Sequence, residues 1–244
     1  MSLETHIAGS DDRLIDGLHF AGKNTSSYVT SRSSVSFAPQ TASNFKPSGS
    51  RLMRFSLADQ QGWLDGGTVR LVFKITNLHV SGSLAPITDS PASMFRRMRV
   101  IANGSAVIED IEDYGRVHQL FSELLPAQRR YNNTAESWGG ANLASGLDSP
   151  VHIAQIESDC ERTVCVHLMS SFLGQGKMIP LSMVPVILEL ELGDMDDCFL
   201  GGAGDNAWEI SRPRLIADVM QIDNSLQNSY ASYILAGKAL GVFM

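Results

Sequence analysis

The sequence predicts an all-β fold, an antiparallel jelly-roll sandwich of about eight strands with one or two helices in the connections. Three observations predict it. Short segments of alternating apolar residues recur along the chain, bounded by turn chemistry. Only one long segment has convincing helical periodicity. Strands and helices do not alternate as β-α-β units, which disfavours a parallel α/β sheet. Eight antiparallel strands in one domain suit two Greek keys packed as two sheets. Strand order is not legible in the residues, so another sandwich or a barrel fits the same pattern.

The elements follow in order. Residues 1–50 read as a flexible N-terminal arm: nine of the 13 residues from 24 to 36 are Ser, Thr or Asn, and such a stretch buries too little to offset its ordering entropy. Within it, Val35 and Phe37 suggest a short edge strand. Residues 51–244 form the predicted jelly-roll domain. Met53, Phe55 and Leu57 line one face of a strand, and Gly66-Gly67 reads as a turn. Val69, Leu71, Phe73 and Ile75 alternate with more polar neighbours, giving the clearest half-buried strand. In the strand over 94–102, Met98 and Val100 face inward and Arg97 and Arg99 outward. Asn103-Gly104 then predicts a hairpin, because both residues tolerate positive φ, with a return strand over 106–108.

Ile111, Tyr114, Val117, Phe121 and Leu124 predict a helix over 109–125, with Asp110 as its cap and Pro126 as its stop. A long polar loop covers 127–158. Further strands are predicted at 162–169, 186–192 and 214–222, a short helix at 226–235, and a last strand at 239–244. An acidic, Gly-containing loop occupies 193–206.

Composition removes several classes. Nineteen Lys and Arg against 26 Asp and Glu give a net charge of −7, which argues against a general nucleic-acid coat. Three cysteines do not make a disulfide framework. No run approaches a membrane span, and residues 1–10 carry no secretory signal pattern.

The search for chemistry is unproductive. Cys160, Cys165, His152 and His167 lack zinc-motif spacing. Asp194, Asp196, Asp197 and Asp205 offer hard oxygen atoms but not the calcium-loop pattern, and read as a solvated loop. Gly174-Gln175-Gly176-Lys177 is followed by Met178 and Pro180, so it is not a phosphate loop opening a helix; its glycines serve a tight turn. Glu109, Asp110, Glu112 and Asp113 suit a helix N-terminus better than acid/base catalysis. No nucleophile elbow or His-Glu-x-x-His motif occurs. The reading is therefore of a non-enzyme, with no cofactor and no metal.

A resemblance adds to this. A polar arm and strand precede QQGWLDGGTVRLVFKITN (60–77), then come SMFRRMRVIANGSAVIEDIEDYGRV (93–117), SSFLGQGKMIPLSMVPVILELEL (170–192) and NSYASYILAGKAL (228–240). In this order the phrases resemble the major capsid proteins of double-jelly-roll DNA viruses and their integrated relatives. Phe172, Leu173, Lys177, Pro180 and Leu181 match that family's Phe-Leu…Gly-Lys…Pro-Leu segment, which precedes a strand of its first jelly roll. The resemblance implies trimeric capsomers tiling an icosahedral shell. This chain has strands for one jelly roll, so it reads as the first half of a longer protein or as a single-jelly-roll protein.

The predicted function is a structural capsid protein that self-assembles through jelly-roll contacts into a viral shell. Expected partners are copies of itself, as a trimer, together with a second jelly-roll segment or other capsid proteins. No direct nucleic-acid contact and no transmembrane segment are expected. The expected location is the virion, assembled in host cytoplasm or nucleus. The interface candidates are Trp63, Arg97, Arg129, Arg130 and Trp138, since aromatic residues and Arg dominate contact energetics when desolvated. The alternative is a carbohydrate- or ligand-binding β-sandwich module, with Trp63, Trp138 and Trp208 as stacking platforms and the 194–205 loop holding a cation. A cupin-type enzyme would need clustered histidines, and the six here are scattered.

Overall fold

The computed structural model describes residues 29–58, 62–86, 90–124, 155–200 and 207–237. Two antiparallel sheets enclose one core. The larger has the order β1 (Val29–Phe37), β12 (Trp208–Ile222), β4 (Trp63–Asn77), β8 (Glu161–His167). Two short strands extend it, β2 (Asn44–Phe45) on β12 and β9 (Met178–Pro180) on β4. The smaller has the order β3 (Leu52–Ser56), β10 (Val186–Leu192), β6 (Phe95–Ala102), β7 (Ala106–Glu112). A separate two-stranded ladder joins β5 (Ala85–Pro86) to β11 (Phe199–Leu200). The chain passes repeatedly between the two main sheets: β3 to β4, β4 to β6, β7 to β8, β9 to β10, β10 to β12. This wrapping is what the alternating strands predict for a jelly roll.

Alternation builds the core. Val69, Leu71, Phe73 and Ile75 of β4 are buried, as are Val164 and Val166 of β8, Leu215, Ala217 and Val219 of β12, and Val186, Leu188, Leu190 and Leu192 of β10. Each large apolar side chain so buried contributes roughly 1.5–3 kcal/mol. Phe73 of the larger sheet meets Phe95 of the smaller edge-on, centroids 6.0 Å apart, so aromatic contact links the two layers.

The Asn103-Gly104 hairpin forms as expected, with φ of 51° and 79° and Ala102 opposite Ala106. The Gly174–Gly176 segment is a turn into β9, through a 3-10 turn (Leu173–Gln175) and Gly176 at φ 71°. The edge strand expected at Val35 and Phe37 is β1, paired along β12.

Several expectations are corrected. Gly66-Gly67 is not a turn between strands but a bulge inside β4, where the register with β12 shifts between Ile216 and Asp218. Asp65 Oδ1 accepts from Gly67 N (3.2 Å), and Thr68 Oγ1 donates to Asp65 O (2.7 Å) and accepts from Asp218 N (2.9 Å). The turn chemistry is real, but it kinks a continuing strand. A Cβ on Gly66 would lie 2.2 Å from the Leu173 carbonyl oxygen, so only glycine fits there.

The helix α1 spans Tyr114–Glu123, not 109–125. Residues 109–112 belong instead to β7, where Asp110 and Glu112 stand opposite Arg99 and Arg97. Cross-strand charge pairing with a basic neighbour outweighs helical propensity here. Asp110 is therefore not a cap. The residue before α1 is Asp113 at φ 50°, with no side-chain cap bond.

The strand expected from 214 starts at Trp208. The acidic loop contains a short helix α2 (Met195–Cys198) before β11. The helix expected at 226–235 is α3 (Asn224–Leu235), capped by Asp223 accepting from Ser225 N. The strand expected at 239–244 and most of the 127–158 loop lie outside the described residues. Among the described residues no helix is long and apolar enough to cross a membrane.

Candidate assembly surfaces

The outward face of the smaller sheet is a charge ladder. Arg97 holds Asp110 through two bonds, Nε at 2.8 Å and Nη2 at 2.6 Å, and reaches Glu112 at 3.6 Å. The guanidinium of Arg97 holds the Asp110 carboxyl below the usual carboxylate range. Glu189 is buried on this face, flanked by Arg99 at 2.6 Å and Arg54 at 3.6 Å. Arg97 is thus engaged within its own sheet, with about a third of its side chain exposed.

Trp63 is only 7% exposed, its ring 5.0 Å from that of Tyr230 on α3. The chain itself encloses it. Arg129, Arg130 and Trp138 lie outside the described residues.

The helix α1 carries apolar residues at helical spacing, only some of which meet the core. Tyr114 is fully buried and accepts from Met169 N at 2.8 Å. Leu120, Phe121 and Leu124 are 65%, 53% and 75% exposed. Helical spacing reports that these residues share a face, but not what the face meets. Contiguous exposed apolar side chains of this kind mark interaction sites.

Beneath α1 lies a histidine pair. His118 Nδ1 is 3.2 Å from Ser90 Oγ. Burial, then His167, lowers the His118 pKa below its ordinary 6.5, and burial, then Arg70, lowers that of His167.

The larger sheet carries a cleft of about 590 Å³ beside β12. β1 pairs with β12 as far as Leu215 and β2 only from Ser211, so residues 212–214 have no strand partner on that flank. On the other flank Lys74 faces Ser211 and Val72 faces Arg214, leaving Arg212 and Pro213 opposite Phe73 alone. Loop residues 38–43 border the gap, and Ser43 O accepts from Arg212 N at 3.0 Å.

The chemical alternatives find little footing. Trp208 is fully buried against Phe199 and Trp63 nearly so, so neither offers a sugar a stacking face. Asp194 is taken by Arg51 at 2.6 Å. Among the described residues no three His, Cys, Asp or Glu side chains are grouped to hold a metal. Burial, reinforced by Asp197 and Asp194, pushes the Cys198 thiol up to about 12, far from a thiolate nucleophile.

No protein-family model matches the chain, and no curated protein matches it by sequence. Solved structures do. A chain of the PBCV-1 virus capsid is similar with a TM-score of 0.52 at 14% identity, over 82% of this chain and 44% of its own. A chain from the Sputnik virophage structure is similar at 0.53 and 11% identity, over 85% of this chain and 52% of its own. The fold is the jelly roll. This jelly roll spans about half the length of the chains it matches.

Proposed function

We propose that this chain is a structural capsid protein, a jelly-roll subunit that self-assembles into a viral shell and makes or breaks no bond. The observation that carries the reading is the sandwich itself, shared across more than four-fifths of the chain with chains of two virus particles. The exposed stripe of α1 supports it, because contiguous exposed apolar surface suits association. The half-length match supports a second jelly-roll segment as a partner; the reading adds copies of this chain, arranged as a trimer. Residues 29–50 of the expected arm belong to the subunit's own larger sheet through β1 and β2, and the reading assigns contacts with neighbours to Arg97, Arg129, Arg130 and Trp138. The subunit resides in the virion.

Sedimentation velocity and negative-stain microscopy of the full chain test the reading. Discrete oligomers or shells forming at rising protein concentration are the expected result. A strictly monomeric protein at high concentration overturns it.

A further inference from the structure

We infer that the cleft beside the β12 bulge is a carboxylate-docking site for a second copy of this chain, which places one side of the subunit contact on Arg212 and Arg214. The inference rests on the capsid reading and names a surface through which copies meet.

Its first support is backbone conformation. Four described non-glycine residues have positive φ: Asn103, Asp113, Asp159 and Arg212. Asn and Asp tolerate that region because their short polar side chains bond locally. Arg212, at φ 51°, has no such excuse. A strained residue retained at the mouth of a cleft points to a role for its side chain.

The second support is charge. Among the described residues Lys74 is spent on Glu161 and Arg32 on Asp65 and Asp218, while neither Arg212 nor Arg214 has an ion-pair partner. Glu161 is near enough to feel Arg212, but Lys74 holds it first. Both arginines are exposed and stand two residues apart across the bulge. Thr41 and Thr163 add hydroxyls to the lining.

The third support is complementarity. A chain of net charge −7 carries 26 acidic side chains against 19 basic ones, so an unneutralised cationic cleft has carboxylates to meet on its own copies. Glu112 has 79% of its side chain exposed and reaches Arg97 only at 3.6 Å. Its neighbour Asp113 is exposed and makes no side-chain cap bond. These two close the edge strand of the other sheet. Contact between them and the cleft joins different faces of two copies, a head-to-tail geometry that propagates into rings or lattices rather than stopping at a dimer.

A mixing experiment tests this. One full-length variant carries Arg212→Glu with Arg214→Glu, and another carries Glu112→Lys with Asp113→Asn, since Asn like Asp accepts the left-handed conformation at position 113. Each alone is expected to self-associate about tenfold or more weakly than the unaltered chain, read by sedimentation velocity at low salt. An equimolar mixture sets Lys at position 112 against the glutamates of the altered cleft and is expected to recover association. Arg212→Gly with Arg214→Thr serves as the folding control, because glycine accepts the bulge conformation while removing the cation. It is expected to unfold no earlier than the unaltered chain yet to associate weakly. Folded cleft variants that associate normally, or a mixture that stays dissociated, overturn the inference and leave the capsid reading standing. An unaltered chain that never associates overturns both.

Discussion

At the scale of single residues, the fold depends on a few positions whose roles are not apolar. Asn77 is fully buried at the end of β4. Its Nδ2 donates to Gly82 O and Ile156 O, both at 2.8 Å, and its Oδ1 accepts from His79 N at 2.8 Å. One amide thus ties two loops to a strand. Asn77→Ala removes the partner of Gly82 O and of His79 N, while Ile156 O keeps its bond from Leu84 N, and is expected to cost about 2–3 kcal/mol in urea unfolding. Gly66→Ala drives a methyl into the Leu173 carbonyl and is expected to cost about 1–3 kcal/mol. Arg212→Gly runs the other way. Relief of a left-handed conformation worth about 1–2 kcal/mol offsets the extra chain entropy of glycine, so stability is expected to hold or rise slightly.

At the scale of elements, α1 is the informative one. It packs through Tyr114 and His118, and Gly115 allows close approach, a Cβ there lying 2.8 Å from Ser93 Cα. The folded pKa values of His118 and His167 are lowered, so below about 6.5 the unfolded chain binds protons that the folded chain resists. Their contribution to stability is full above that pH and is lost as pH falls towards the lowered folded values. A thermal-unfolding series across this range is expected to show the loss, and His118→Gln is expected to flatten it. On the outer side, Leu120→Ser with Phe121→Ser removes exposed apolar surface. The pair is expected to shift monomer stability by no more than about 0.5 kcal/mol per site while weakening self-association, read by light scattering.

At the scale of the whole molecule, surface charge sets the conditions for assembly. Ion pairs on the two sheet faces are mostly half-exposed, so they contribute modestly to folding and are screened by salt. A cleft-to-carboxylate contact is screened in the same way. Added salt is therefore expected to shift the association midpoint to higher protein concentration while leaving the urea midpoint of the subunit nearly fixed. A salt-insensitive association midpoint would instead assign the contact to apolar surface such as α1.

The sequence by itself determined the class of the fold and the inward faces of its strands. Alternation in β4, β8 and β10 and the Asn103-Gly104 hairpin depend on neighbours along the chain, where period and turn chemistry are local. It also carried the phrases resembling capsid proteins, and the solved structures share that fold. Only the tertiary structure decided the rest. Residues 109–112 are strand because Arg97 and Arg99 lie across from them. The Gly66-Gly67 signal became a bulge because Asp218 and Leu173 sit beside it. Helical spacing could not say that Leu120, Phe121 and Leu124 face outward, nor alternation that β12 parts from both flanks at Arg212. Each of these depends on which distant segment packs alongside, and period along the chain does not encode that.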